Sequence, residues 1–242
     1  MARGAPTLPA ALLLLAFVSG RSSAQTTGNL WFRYILQVPL HPHWTLRFEP
    51  DLRVEMAPDP GRFQQLLFRT EVQRHLGEAH AVAAGALFLD AGLTRTDQLQ
   101  VQEWRPHVAW SFRPALPHRP LLLRLRGEYR SISADPPGET GTTLVRAARV
   151  RSLLQDDLAF RRDEEGHLLT GLRLAIEGLW RAWGDAVEPG FDQFRAFGGV
   201  VQRVSHDLDL EIGYMWLLRE HDVQQHWLRM TFAHHVPTHH AG

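Results

Sequence analysis

Apolar and polar residues alternate with a period of two along most of this chain. From Trp44 to Glu55, residues Trp44, Leu46, Phe48, Leu52 and Val54 fall on one parity, and Arg47, Glu49, Asp51, Arg53 and Glu55 on the other. Successive strand side chains point to opposite sides of a sheet, so the run reads as a strand with one oily and one charged face. A helix would mix the two sets on every side. The pattern recurs as Phe68, Thr70 and Val72 against Arg69, Glu71 and Gln73, and as Trp104, Val108 and Trp110 against Glu103, Arg105 and His107. Leu123, Leu125 and Tyr129 oppose Arg124, Arg126, Glu128 and Arg130; Leu172, Leu174 and Ile176 oppose Arg173 and Glu177. Near the end, Leu208, Leu210, Ile212, Tyr214 and Trp216 oppose Asp207, Asp209, Glu211 and Gly213.

Turn signals separate these runs at Pro39 to Pro42, Ala57 to Gly61, Arg113 to Pro120, Asp135 to Gly138 and Glu188 to Gly190. About eleven candidate strands result, many of roughly 10 residues or more, the length a tilted membrane strand needs. Bacterial single-chain barrels carry an even number of strands, which moves the expected count to ten or twelve. The stretch from Leu144 to Phe160 alternates least regularly and leaves room for a break or a helical turn.

The expected fold is all-β: an antiparallel, up-and-down transmembrane β-barrel of ten or twelve strands, apolar face to lipid and charged face to the lumen. Trp31, Trp44, Trp104, Trp110, Trp180, Trp216 and Trp227 sit near the ends of apolar runs, as interfacial girdles would. A soluble sandwich or lipocalin-like barrel turns its apolar face inward. The long strands, the aromatic placement and the mixture of Arg with Glu on the polar face weigh toward the membrane barrel.

Composition narrows the partners. The 26 basic and 26 acidic side chains balance, which argues against a nucleic-acid ligand. Every one of the basic residues is Arg, a residue suited to desolvated ion-pair networks, although a GC-rich genome would give the same usage. The absence of Cys excludes disulfides, thiolate metal sites and a Cys nucleophile.

The N-terminus opens Met1-Ala2-Arg3, continues through an apolar run from Ala10 to Val18 and reaches Ser22-Ser23-Ala24. This reads as a secretory signal peptide over 1–24, cleaved before Gln25. Its apolar run falls short of the about 20 residues of a spanning helix. The barrel is expected over 25–236 and a flexible tail over 237–242.

The residues also resemble a known family. Arg124-Leu125-Arg126-Gly127-Glu128-Tyr129-Arg130 resembles the Arg-x-Arg-x-Glu-x-Arg strand of the family called domain of unknown function 2490 (DUF2490), and Glu103-Trp104-Arg105-Pro106 resembles the strand before it. Phe191-Asp192-Gln193-Phe194-Arg195 is similar to its Phe-Asp-Gln-Asn-Arg segment, with Phe194 in place of Asn, and Leu210 to Met215 to its penultimate strand. The similarity runs from Trp31 to about Val236; the His-rich tail departs from it. The resemblance implies a β-barrel in the outer membrane of a Gram-negative bacterium and carries no activity. Such a barrel has outer-membrane lipid, lipopolysaccharide and the barrel assembly machinery as partners; no oligomeric state follows.

Sixteen charged residues form the candidate site, all expected to face the lumen: Arg47, Glu49, Asp51, Arg53, Arg69, Glu71, Glu103, Arg105, Arg124, Arg126, Glu128, Arg130, Arg173, Glu177, Arg195 and Glu211. They read either as a solute-selecting channel lining or as a salt-bridge network that fills the lumen and sets register; so many buried charges are tolerable only if paired. Of the 14 histidines, His41 and His43, His234 and His235, and His239 and His240 cluster, but neighbours on a strand point to opposite faces and cannot share one metal. No metal or other cofactor is expected. Ser131 and Ser133 near His107 are the one candidate for a Ser–His pair, with nothing to orient a triad. The expected function is a non-catalytic outer-membrane barrel, structural or a narrow pore. The alternatives are a membrane-embedded enzyme acting on lipid or lipopolysaccharide and a soluble periplasmic β-domain that binds a small ligand.

Overall fold

The computed structural model describes residues 27–57, 64–92, 100–116, 120–135, 142–164, 168–185, 188–220 and 223–237. The expected signal segment 1–24 and the tail histidines His239 and His240 lie outside the described residues. The strands are β1 (Thr27–His41), β2 (Trp44–Ala57), β3 (Gln64–Leu76), β4 (His80–Ala91), β5 (Gln100–Phe112), β6 (Leu122–Asp135), β7 (Thr143–Arg162), β8 (Leu168–Gly184), β9 (Gly190–Ser205), β10 (Leu208–Arg219) and β11 (Gln224–His235). Each pairs with the next in sequence, and β1 pairs with β11, closing a barrel.

The closure corrects the expected strand count and strand sense. Eleven strands form the barrel, not ten or twelve, and β1 runs parallel to β11, from Thr27 opposite Gln225 to Gln37 opposite His235. In an up-and-down meander, strands of the same parity run the same way. An odd number therefore closes only through one parallel pair, and the sheet is mixed rather than wholly antiparallel. Alternation and turn signals together marked about eleven strands; the even-number rule moved the count away from them.

The irregular stretch from Leu144 to Phe160 lies within one 20-residue strand, β7. β7 keeps unbroken register with β8 from Arg149 to Ala159, the extra residue at Ala148/Arg149 being Ala182 on β8. The blurred alternation comes from residue types: Val145, Ala147 and Leu153 share the inward parity with Arg149 and Arg151, and Arg146, Ser152 and Asp156 the outward one. Pro39 sits inside β1, where the register with β2 shifts before the turn at Pro42 and His43. At that same end lie the tight turns Gly77 to Ala79, with Gly77 at φ +76°, and His206-Asp207. This is the short-turn end; the connections after β2, β4, β6, β8 and β10 lie at the other.

The two faces of the sheet separate by parity. Outward positions on β2 are Trp44, Leu46, Phe48, Pro50, Leu52, Val54 and Met56, all apolar. Val108, Leu228, Val200, Leu125 and Ile176 stand about half or more exposed on the same surface. Two of the expected girdle residues do not belong there. Trp31 and Trp227 point into the lumen, edge to face with ring centroids 6.2 Å apart, and pack with Phe197, Met215 and Leu217. Each shares its face with the arginine two residues on, Arg33 or Arg229, and period two takes both inward.

Strands about 4.8 Å apart and tilted by about 40° close an eleven-stranded cylinder roughly 22 Å across between backbones. Long side chains from opposite walls nearly meet across it. Space is tight at the paired Gly199 and Gly213: a Cβ on Gly213 would lie 2.5 Å from the Gly199 Cα and 2.6 Å from Cζ of Phe197. These glycines let the Phe197 ring lie against the wall, and the Arg229 guanidinium covers it 3.4 Å from the ring centroid. Gly213→Val is expected to overpack this seam and cost about 1–3 kcal/mol. A lower temperature for loss of the compact, heat-modifiable gel band checks this; an unchanged temperature refutes the close fit.

Candidate functional site

Inward parity carries the charges of β2, β3, β5, β6, β8, β9 and β10 into one lumen, where all sixteen expected residues lie in ion-pair contact. Glu49 pairs with Arg47 and accepts a bond from Arg69 at 2.5 Å. Asp51 meets Arg53 at 3.6 Å. Glu71 takes Arg124 at 2.5 Å, Arg126 at 3.1 Å and His107 at 3.0 Å. Glu103 is held by Arg105 through two bonds of 2.5 Å and by Arg130 at 2.5 and 3.1 Å. Glu211 accepts from Arg229 at 2.7 Å, Arg173 at 2.8 Å and the Thr231 hydroxyl at 3.2 Å.

The reading by alternation missed several residues of the lattice, among them Arg149, Arg151, Asp157, Asp192 and Arg229. Arg149 donates to Glu128 at 2.6 Å and to Asp192 at 3.0 Å; Arg151 donates to Glu128 at 2.8 Å and to Glu177 at 2.6 Å. Asp157 holds Arg173 through bonds of 2.6 and 2.7 Å, and Arg229 clamps Glu211. The inward set of β7 begins Val145 and Ala147 and its outward set holds Arg146, so the parity of Arg149 and Arg151 was not legible in the pattern. Nor was that of Arg229, because Trp227 shares its face and makes the inward side of β11 look apolar. With these residues, guanidinium and carboxylate succeed one another from Arg124 through Glu71, Arg126, Glu128, Arg151 and Glu177 to Arg195, crossing from β3 to β9.

Glu49, Asp51, Glu71, Glu103, Glu128 and Glu211 are less exposed than the arginines that hold them, whereas Glu177 and Asp192 are not. The carboxylates of Glu49, Glu71, Glu103 and Glu211 are at most 4% exposed, hidden against the wall. The longer arginines reach past them toward the axis, so Arg47 and Arg173 keep 22% and 25% of their side chains accessible. A cavity of about 390 Å³ fills the central lumen; among the described residues, twelve arginines and three carboxylates line it. It extends to Arg113, Leu122, Asp209 and His235, all at the short-turn end. Toward the other end the inward residues Leu67, Leu89, Leu179, Leu217 and Trp227 are at most 5% exposed, beside the charged side chains of Arg130, Arg181 and Asp192.

The remaining sequence candidates do not assemble. His107 points inward onto Glu71, whereas Ser131 lies opposite outward-facing Trp104, and Ser133 shares its parity. His234 faces out and bonds Tyr34 at 2.8 Å; its neighbour His235 faces in and meets Asp209 at 3.3 Å. The His41 and His43 rings lie 6.1 Å apart at the first turn. Among the described residues no group of three or more His, Cys, Asp or Glu is placed to hold a metal ion.

Residues 28–228 match the model of a family described as a protein of unknown function, DUF2490. No curated protein matches the chain.

Glu128 is buried among three arginines, Arg126, Arg149 and Arg151. Replacing it with Gln leaves three guanidiniums to repel one another without their counter-charge. Glu128→Gln is expected to lower stability by about 3–5 kcal/mol, the range for breaking a buried pair. Glu55→Gln, near the end of β2 and without an ion pair among the described residues, serves as the reference. Equal melting of the two variants would show that the lattice contributes nothing at Glu128.

Proposed function

This chain belongs to the DUF2490 family, and we propose that it is a β-barrel of the bacterial outer membrane whose lumen is a closed vestibule rather than a through-going pore. The observation that carries the membrane reading is the outward surface. Apolar side chains such as Val108, Trp104, Leu228, Val200 and Ile176 form a continuous exposed belt around a closed sheet. In water that belt would far exceed the few hundred Å² of contiguous apolar surface that soluble monomers expose. Against lipid it needs no cover, and closure leaves no unpaired strand edge in the hydrocarbon. Aromatic side chains border the belt at both ends: Trp44, Trp110 and Phe232 toward the short turns, Trp104, Trp180, Trp183 and Trp216 toward the longer connections. The export-like N-terminus agrees with this reading.

The closed vestibule is supported by the lattice itself. Its members link non-neighbouring strands, as Arg124 of β6 does to Glu71 of β3 and Arg173 of β8 to Glu211 of β10. Buried Leu67, Leu89, Leu179, Leu217 and Trp227 narrow the end away from the short turns. In bacterial barrels the short turns face the periplasm, so the cavity would open there. The enzyme alternative has no observation in its favour, since the Ser–His candidates lie on opposite faces of the sheet.

Depth separates membrane from solvent in one comparison. Ile176 lies midway along β8, whereas Leu125 pairs with Trp110 near the short-turn rim. Ile176→Arg is expected to cost about 2–4 kcal/mol in vesicle refolding, and Leu125→Arg about 0–1 kcal/mol. Equal effects at both depths would count against a bilayer around the belt. In planar bilayers the refolded protein is expected to give no sustained conductance steps; steady ion-selective steps would overturn the closed lumen.

A further inference from the structure

We propose that the arginine-lined cavity is a binding site for a small, soluble, multiply charged oxyanion, such as a phosphorylated solute, entering from the short-turn end. The proposal deepens the vestibule reading and rests on it only for access from that end. Its first support is the lower exposure of most of the carboxylates. The chain is neutral overall, but the wall carboxylates are covered by the guanidiniums they hold, and the surface offered to a ligand is cationic. Guanidinium forks match phosphate and carboxylate oxygens, and here they are fixed in place beforehand by the lattice.

The second support is a surplus of donors over acceptors. Arg33 lines the cavity from β1, lies 5.8 Å from the Trp31 ring centroid and, among the described residues, has no carboxylate in ion-pair contact. Arg53 stacks 4.0 Å from the same ring centroid, and its contacts to Gln65 and Asp51 are long, at 3.4 and 3.6 Å. A guanidinium held on an aromatic face keeps its edge free for in-plane bonds. The Nε–H groups of Arg33, Arg53, Arg69, Arg124 and Arg126 find no acceptor among the described residues but have no accessible surface either, so a ligand would meet the terminal Nη groups of these arginines.

Size and access define the ligand class. About 390 Å³ falls low in the range of roughly 300–1,000 Å³ for small-molecule pockets, which suits a small solute rather than a polymer. The hydrogen-bonded wall is continuous around the lumen, so a lipid could bring its headgroup in only by drawing its chains over the rim. A singly charged anion must compete with wall carboxylates that already engage two or three arginines; a multivalent one bridges several guanidiniums at once.

The test is calorimetric titration of the protein refolded in neutral detergent micelles, in a phosphate-free buffer, with pyrophosphate as the probe. Saturable binding is expected, with acetate at matched ionic strength giving none. Arg33→Gln, which removes no ion pair among the described residues, is expected to weaken pyrophosphate binding about tenfold while the heat-modifiable band stays normal. Arg74→Gln, whose side chain lies outside over Trp44, is expected to bind as the parent does. Should Arg33→Gln fail to refold, Arg113→Gln at the cavity mouth takes its place. No heat with pyrophosphate, or equal binding by the inward and outward variants, overturns the proposal. So does loss of the pyrophosphate signal on adding phosphatidic acid micelles, which would make the ligand a lipid headgroup. Failure here leaves the membrane reading untouched, and a conducting lumen would overturn the closed vestibule without abolishing anion binding.

Discussion

Burying a carboxylate is tolerable only where a cation reaches it, and in this barrel that requirement governs register, width and surface charge together. Glu128 on β6 engages two arginines of β7, and Glu177 on β8 reaches back to β7 and forward to β9. Each such contact ties neighbouring strands in one alignment. A slip of one residue would turn a whole set of charges outward and a set of Leu, Val and Trp inward. The individual pairs need not be net stabilising against an apolar filling. What they do is make every other register far worse.

The same requirement explains why arginine alone serves as the cation. One guanidinium has five donors in a planar fork, so Arg151 can join Glu128 to Glu177, and Arg173 can join Asp157 to Glu211. A lysine would offer a single point charge and close fewer links. Because arginine outreaches glutamate, most bridges form near the wall and the cationic ends crowd the axis. A neutral chain thereby acquires a cationic interior surface.

Stacking supplements charge on the side of the lumen formed by β9, β10, β11 and β1. The small Gly199 and Gly213 admit Phe197, which carries Arg229; Trp31 carries Arg53. Aromatic faces take the place of carboxylates there, as cation–π contacts can. This seam lies beside the single parallel strand pair and fills space with rings where neither β1 nor β11 brings an inward acid to the middle of the lumen.

The period-two alternation by itself determined that the chain is a sheet, which side of most strands is apolar and that Arg47 through Glu211 share one face, because strand geometry couples sequence parity to direction; the turn signals marked about half of the connections. The two together marked about eleven strands. Alternation could not decide how the ends of the sheet join, since closure is a relation between residues some 200 positions apart, such as Thr27 and Gln225. Nor could it place Trp31 and Trp227, whose type suits either face and whose side is set by Arg33 and Arg229. The tertiary structure alone decided which arginine meets which carboxylate, and that most of the acids are less exposed than the bases that hold them. That difference depends on side-chain length measured across a closed lumen, a distance no single strand contains.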